Sequence, residues 1–393
     1  MALVKLLLAH LILCSVYGYW GKATSISNDD SEIEAQLKIL NKPAVKTFVT
    51  KDGETIDCVP IHKQPAFDHP LLKDHKIQLE PNLPPFEKDT PPPNAKSVNF
   101  GLREPCPVGT VPIPRVTKED LIRARSIPKM PSISTRGQTN YNQHVVSLRD
   151  NQVENIKYGA GARMTVYNLT VAPDQFSSHN IWLETGPIEH ISMIAASWQV
   201  NQQLNGDRIS RLFTYWTGDG HHNGCYNVLC PGFVQIDREV TTNYPFYDTS
   251  VIGGKQYELL LRVEQDLYTA NWWLIVNDDP PVKVGYWPKE LFAYLRNGSL
   301  HAAWGGIGME GSDGYCPPMG SGRFPDSDSD YTHAAYFRNM YWLYRFSARL
   351  QPSKKIREYV DKSNVYGLTN HGNVRKMGYT LGYGGQGGYC RAQ

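Results

Sequence analysis

Short runs of alternating apolar and polar residues, each closed by turn residues, fill the chain from about Gln138 onward. In His190–Val200, Ile194, Ala196, Trp198 and Val200 fall on one face. Met193, Ala195, Ser197 and Gln199 fall on the other. Successive strand residues point to opposite faces, so the first set is a core face. The second is smaller and more polar. Arg211–Trp216, Tyr257–Val263, Asn271–Val276 and Val282–Trp287 also read as strands. Asn205-Gly206-Asp207, Gly218-Asp219-Gly220 and Asp278-Asp279-Pro280 supply turns between them. Many short strands with this spacing predict an all-β fold, an antiparallel sandwich, rather than an alternation of helices and strands.

The N-terminus sets the compartment. Lys5 precedes the largely apolar run Leu6–Val16, and small residues follow at Gly18 and Ala23. This is the pattern of a secretory signal, cut after Gly18 or, nearly as well, after Ala23. The run is shorter than the ~20 residues a membrane helix needs, and no later run is long enough. A secreted, extracellular protein is expected, with no membrane partner. The net charge is +2 with both signs spread along the chain, which lacks the basic footprint of a nucleic-acid binder. Of seven cysteines, Cys14 leaves with the signal. Cys58, Cys106, Cys225, Cys230, Cys316 and Cys390 remain, an even number that predicts disulfides in an oxidising compartment. Six cysteines allow fifteen pairings, so the count leaves connectivity open.

Before the strands lies a different region. A weak helical stretch surrounds Glu32–Leu40, and Pro81–Pro93 holds six prolines and reads as extended. Glu119–Arg125 is long enough for about two helical turns. The stretch Ser126-Ile127-Pro128-Lys129-Met130-Pro131-Ser132 has linker composition, with Arg123, Arg125 and Lys129 as protease sites. The expected divisions are a signal over 1–18, a small domain over 45–116, a linker over 117–137 and the sandwich over 138–393. The tail Gly378–Gly388 carries six glycines in eleven residues, either a glycine-rich strand pair or a flexible end.

Two stretches carry a family resemblance. DCVPIHKQPAFDHPLLKDHKIQLEP spans Asp57–Pro81, and CPVGTVPIPR spans Cys106–Arg115. Later come SWQV at Ser197–Val200, RLFTYWTGDGHHNGCYNVLCPGFVQ at Arg211–Gln235, Trp304-Gly305-Gly306 and MGSGRFP at Met319–Pro325. In this order the chain resembles plant neprosin-family proteins from roughly Lys46 to its C-terminus. The resemblance implies an activation-type domain followed by an antiparallel β-sandwich. It also implies a glutamic-type prolyl endopeptidase in which two glutamates act across a cleft, one as base and one as acid. Such a dyad works by splitting the pKa values of two nearby carboxylates, so it prefers acid.

The sequence departs from that pattern at both glutamates. The family glutamate three residues before the tryptophan of the WQV run is here Ala195. The one directly after the WGG run is here Ile307. General acid–base groups contribute ~10²–10⁴-fold each, and neither a methyl nor a sec-butyl group moves protons. No catalytic residue is therefore assigned. Glu189, Glu310 and Asp313 are the nearby carboxylates that could stand in, and they read better as solvated loop charges. Ser197, Gln199 and Trp304 are the candidate cleft residues.

Family resemblance pairs Cys225 with Cys230 and Cys58 with Cys106. Cys390 lacks the family's upstream partner, which leaves Cys316 to pair with it, or both to stay free or bond another chain. His221 and His222 beside Cys225 and Cys230 could hold zinc, but the disulfide reading leaves them as loop residues. No cofactor or metal is expected. Asn168 and Asn297 head glycosylation sequons. Trp272, Trp273, Tyr286 and Trp287 read as core residues, with one of the adjacent tryptophans free to line a cleft. His62, His69 and His75 read as surface residues. The expected function is cleft binding without glutamic peptidase activity, for a proline-rich peptide or cell-wall component, in the wall or apoplast. The activation-type domain is a candidate cover for the cleft. The alternatives are an active acid peptidase using displaced carboxylates and a structural or storage protein.

Overall fold

The computed structural model describes residues 29–84, 92–134, 142–277, 280–325, 331–344, 348–353 and 355–391. The signal segment and Cys14 lie outside the described residues, as do the 138 boundary and parts of the Pro81–Pro93 and Asp278–Pro280 stretches. Two large sheets pack face to face, as the strand pattern predicts. The seven-stranded sheet runs, edge to edge, Gly224–Tyr226, Arg211–Thr217, Ser192–Asn201, Phe176–Thr185, His301–Met309, Gln143–Asp150 and Arg357–Val360, all antiparallel. The ten-stranded sheet centres on Gln256–Gln265, Gly159–Thr165 and Ala335–Tyr344. The glycine-rich tail is a strand, Gly378–Gly384, paired with Gly367–Val374. Among the described residues, no helix is long and apolar enough to cross a membrane.

Alternation decides what each sheet face meets. Ile194, Ala196, Trp198 and Val200 enter the core between the sheets with Trp216, Trp272, Trp287 and Trp304. Gly305 shows why the WGG run is small there: a β-carbon on it would meet the Val146 carbonyl oxygen of the neighbouring strand at 1.9 Å.

The N-terminal part is stitched into this sandwich. Ala95–Ser97 pairs in parallel with Gln256–Gln265, and Leu72 and Val98 join the inter-sheet core. Ala66, with Phe67 and Leu83 beside it, covers Trp273, Ile275 and Tyr286 on the outer face of the larger sheet. Trp273 therefore lines no cleft; both adjacent tryptophans are fully buried. His75 is no simple surface residue either. Its Nε2 hydrogen-bonds Tyr286 Oη at 2.9 Å beneath this cover.

His179 sits on the inter-sheet face of Phe176–Thr185. Its ring stacks on Trp198 at 3.7 Å between centroids, and its Nδ1 lies 2.9 Å from Tyr383 Oη. Burial holds its pKa well below the usual histidine value. Between that depressed value and 6.5 the unfolded chain binds the extra proton, so His179 lowers stability as the pH falls below 6.5. Replacing it, as His179→Phe, should flatten the stability–pH slope below pH 6.5 by up to ~1.4 kcal/mol per pH unit. Urea midpoints at pH 5 and pH 7 test this, and parallel slopes for both proteins would refute it.

Candidate functional site

Ala195 and Ile307, where the family resemblance leads one to expect glutamates, share one face of the seven-stranded sheet, the face turned away from the inter-sheet core. Ala195 and Ile307 flank Phe176–Thr185 from either side. They stand at different levels, Ala195 beside Trp182 and Ile307 beside Ser178. Gln199 also pairs with Ser178, so Gln199 and Ile307 bracket one residue. Ser197 faces Asn180 one step along. Ser197 and Gln199 thus lie on the expected face. Trp304 does not: Gly305 and Ala303 take its place there, and the indole enters the inter-sheet core. The reason is parity, since Trp304 is three residues from Ile307 and three is odd.

This face is covered. Helix Lys118–Ser126 starts with a capping box between Thr117 and Asp120 and packs Leu121 with Ile33, Leu40 and Val116. Its basic end is tied to helix 29–40 by Arg125, which pairs with Asp29 and Glu32. The chain then descends onto the face. Ile127, Met130 and Ile133 join Val145, Phe176, Trp182, Ala195, Phe213, Tyr226 and Ile307 in a single apolar cluster.

Polar groups fix the ends of this segment. Tyr226 Oη donates to the Pro128 carbonyl at 2.6 Å. At the other end, Glu184 accepts from the Ile133 amide at 3.0 and 3.1 Å, the Ser134 amide at 2.7 Å and Ser132 Oγ at 2.7 Å. Arg149 Nη1 donates to the Ile133 carbonyl at 3.0 Å, and its guanidinium stacks 3.8 Å from the Tyr359 ring centroid. Both backbone groups of Ile133 are thus held by charged side chains of the sheet. Burial pushes the Glu184 carboxyl above its usual pKa, only partly offset by the hydrogen bonds from Ile133, Ser132 and Ser134. Sequence reading missed Glu184 and Arg149. Their signals were the alternations Ser178, Asn180, Trp182, Glu184 and Val145, Ser147, Arg149, in two strands not singled out as such.

Several buried polar atoms on this face make no protein hydrogen bond: Asn180 Nδ2, Trp182 Nε1, Ser197 Oγ and Gln199 Oε1.

The stand-in carboxylates are dispersed. Glu189 and Asp313 are exposed, as expected. Glu310 is not a solvated loop charge; it is buried and bonded to His144 Nε2 at 3.1 Å and Arg391 Nε at 2.7 Å. Val145 pairs with Ile307 and His144 with Gly308, so the His144 side chain that holds Glu310 lies on the opposite face of the sheet from Ile307. Hydrogen bonds from Arg391 and His144 outweigh burial and hold the Glu310 pKa below the ordinary glutamate value.

Three disulfides join Cys58 to Cys106, Cys225 to Cys230 and Cys316 to Cys390. His221 and His222 lie in the loop before Cys225, and burial lowers the His221 pKa to about 4. Asn168 and Asn297 are both exposed.

Two peptidase structures align at 8% identity, covering 62% of this chain and 98% of each of theirs. One is scytalido-glutamic peptidase with a peptide-based transition-state analogue, at a TM-score of 0.33. The other is SCP-B of the eqolisin family with the tripeptide Ala-Ile-His, at 0.29. Alignments this loose carry nothing about mechanism. The family models are decisive. The neprosin activation peptide model matches residues 47–158, and the neprosin model matches residues 173–386, more than half of the chain. This chain belongs to the neprosin family.

Proposed function

We propose that this is a secreted neprosin-family protein without glutamic peptidase activity, whose covered sheet face binds extended, proline-containing peptides. The observation behind this reading is the segment 127–134 itself. It carries Pro128 and Pro131, and it lies on the face as a peptide ligand would, held at both ends by side chains of the sheet. Beneath it, the residues at the two family glutamate positions are Ala195 and Ile307, both apolar and fully buried. A wall protein with the same backbone chemistry is a ligand of this class.

A tethered segment competes with free ligand at an effective concentration in the millimolar range. Binding should therefore emerge when the tether is loosened. Ile133→Pro removes one of the two backbone amides that Glu184 accepts from, and changes no residue of the sheet. The Ile133→Pro protein is expected to bind a labelled proline-rich peptide at least tenfold more tightly than wild type. Adding Ala195→Trp, which fills the face, should abolish that binding at a packing cost of ~1–3 kcal/mol, with circular dichroism showing the protein still folded. If Ile133→Pro binds no member of a proline-rich panel, the storage or structural reading takes over. Peptide turnover by wild type at acid pH, lost in Glu184→Gln, would instead support a displaced carboxylate.

A further inference from the structure

Away from the covered face, the Cys316–Cys390 bridge sits in a group of side chains that a disulfide alone does not require. His144, Cys316 and Cys390 each bring a ligand atom, and these atoms lie within 4.8 Å of one another, all buried. Glu310 Oε2 lies 3.1 Å from His144 Nε2 and 3.6 Å from Cys390 Sγ. We propose that this cluster is a latent site for a zinc-like divalent cation, closed while Cys316 and Cys390 are bridged and opened by reduction, with His144, Cys316, Cys390 and Glu310 as ligands.

The donor set is the first argument. Two thiolates, an imidazole and a carboxylate are all ordinary zinc ligands, with bonds of ~2.0–2.3 Å, and four donors close a tetrahedral site. The outer shell is the second. Asp361 Oδ2 lies 3.2 Å from His144 Nδ1, which fixes the tautomer that turns Nε2 inward. Arg391 Nε holds the other Glu310 oxygen at 2.7 Å. A carboxylate behind a ligating histidine and a hydrogen bond behind a ligating carboxylate are the usual supports of a metal site.

The scaffold holds the cysteines in place without their bridge. Tyr315–Cys316 pairs with Gly388–Tyr389, the Cys390 amide donates to the Gly314 carbonyl at 3.0 Å, and Tyr366 Oη donates to the Pro317 carbonyl at 2.8 Å. Reduction therefore leaves two thiols facing His144 from fixed backbone. The chemistry balances with a trialkylphosphine as reductant. Phosphorus gives two electrons to the disulfide and leaves as the phosphine oxide, taking its oxygen from water, while the two sulfurs keep the water's protons. The cation then displaces both thiol protons, and any proton shared between His144 Nε2 and Glu310 Oε2, to solvent.

The test uses the full chain carrying Cys225→Ser and Cys230→Ser, which removes the half-buried Cys225–Cys230 pair, with and without phosphine. Cobalt(II) serves as a coloured probe and zinc as competitor against a chromophoric chelator. The reduced protein is expected to take up one cation per chain, with the thiolate-to-cobalt absorption and visible bands of a tetrahedral site; the oxidised protein takes up none. His144→Asn should abolish those tetrahedral bands, and Asp361→Asn should weaken zinc by ~10–100-fold. Cobalt bands that persist after Cys316→Ala and Cys390→Ala would place the cation elsewhere. That result, or a folded reduced protein that binds no cation, overturns the proposal.

Discussion

A protein carrying Ala195→Glu and Ile307→Glu, with Ile133→Pro to free the face, is expected to cleave proline-containing peptides at acid pH. The gain should be at least ~10²-fold over the same protein without the glutamates, because each general acid or base contributes ~10²–10⁴-fold. Both positions are fully buried among apolar side chains. A carboxyl placed there is desolvated, its pKa rises, and one of the two stays protonated in the acid range. Either glutamate alone supplies only half of the acid–base pair, so each single variant should remain close to background. Inserting a longer side chain at Ala195 costs ~1–3 kcal/mol of packing, so melting curves must accompany the assay. A folded triple variant with no turnover from pH 3 to pH 6 would show that carboxyls at positions 195 and 307 do not suffice for peptide hydrolysis on this face.

The second large effect concerns stability. Glu258 Oε1 and Oε2 accept from Arg338 Nε and Nη2 at 2.6 and 2.7 Å, and Tyr336 Oη donates to Glu258 at 2.7 Å. Both charged partners are fully buried on the outer face of the larger sheet. Glu258→Ala removes a fully buried carboxylate that accepts from both Arg338 and Tyr336 and should destabilise the fold by ~3–5 kcal/mol. Pairing it with Arg338→Met removes the buried guanidinium that has lost this carboxylate and should recover part of that loss. Urea unfolding measures both. A double variant no more stable than Glu258→Ala would mean that the loss does not come from the Glu258–Arg338 pair.

Parity explains what could be read from the chain in advance and what could not. The face assignments of Ile194 through Val200 follow from a period of two, and the structure keeps each of them. The same rule applied from Ile307 would have put Trp304 in the core, where it lies. It was counted as a cleft residue because it belongs to a conspicuous motif. Glu310 was misjudged for a different reason. Next to glycines it reads as a loop charge, but its partners His144 and Arg391 are 166 and 81 residues away in sequence. No local pattern announces such a contact.

The sequence by itself determined the all-β class, the parity of its strands and the helix at Lys118–Ser126, because backbone period and capping are local. Through its motifs it also carried the family. The tertiary structure alone decided that Cys316 meets Cys390, that Glu184 and Arg149 clamp Ile133, and that residues 127–134 lie over Ala195 and Ile307. These are contacts between strands and segments far apart in the chain. They depend on sheet order and register, and those are set by how whole faces bury one another rather than by any stretch of residues read alone.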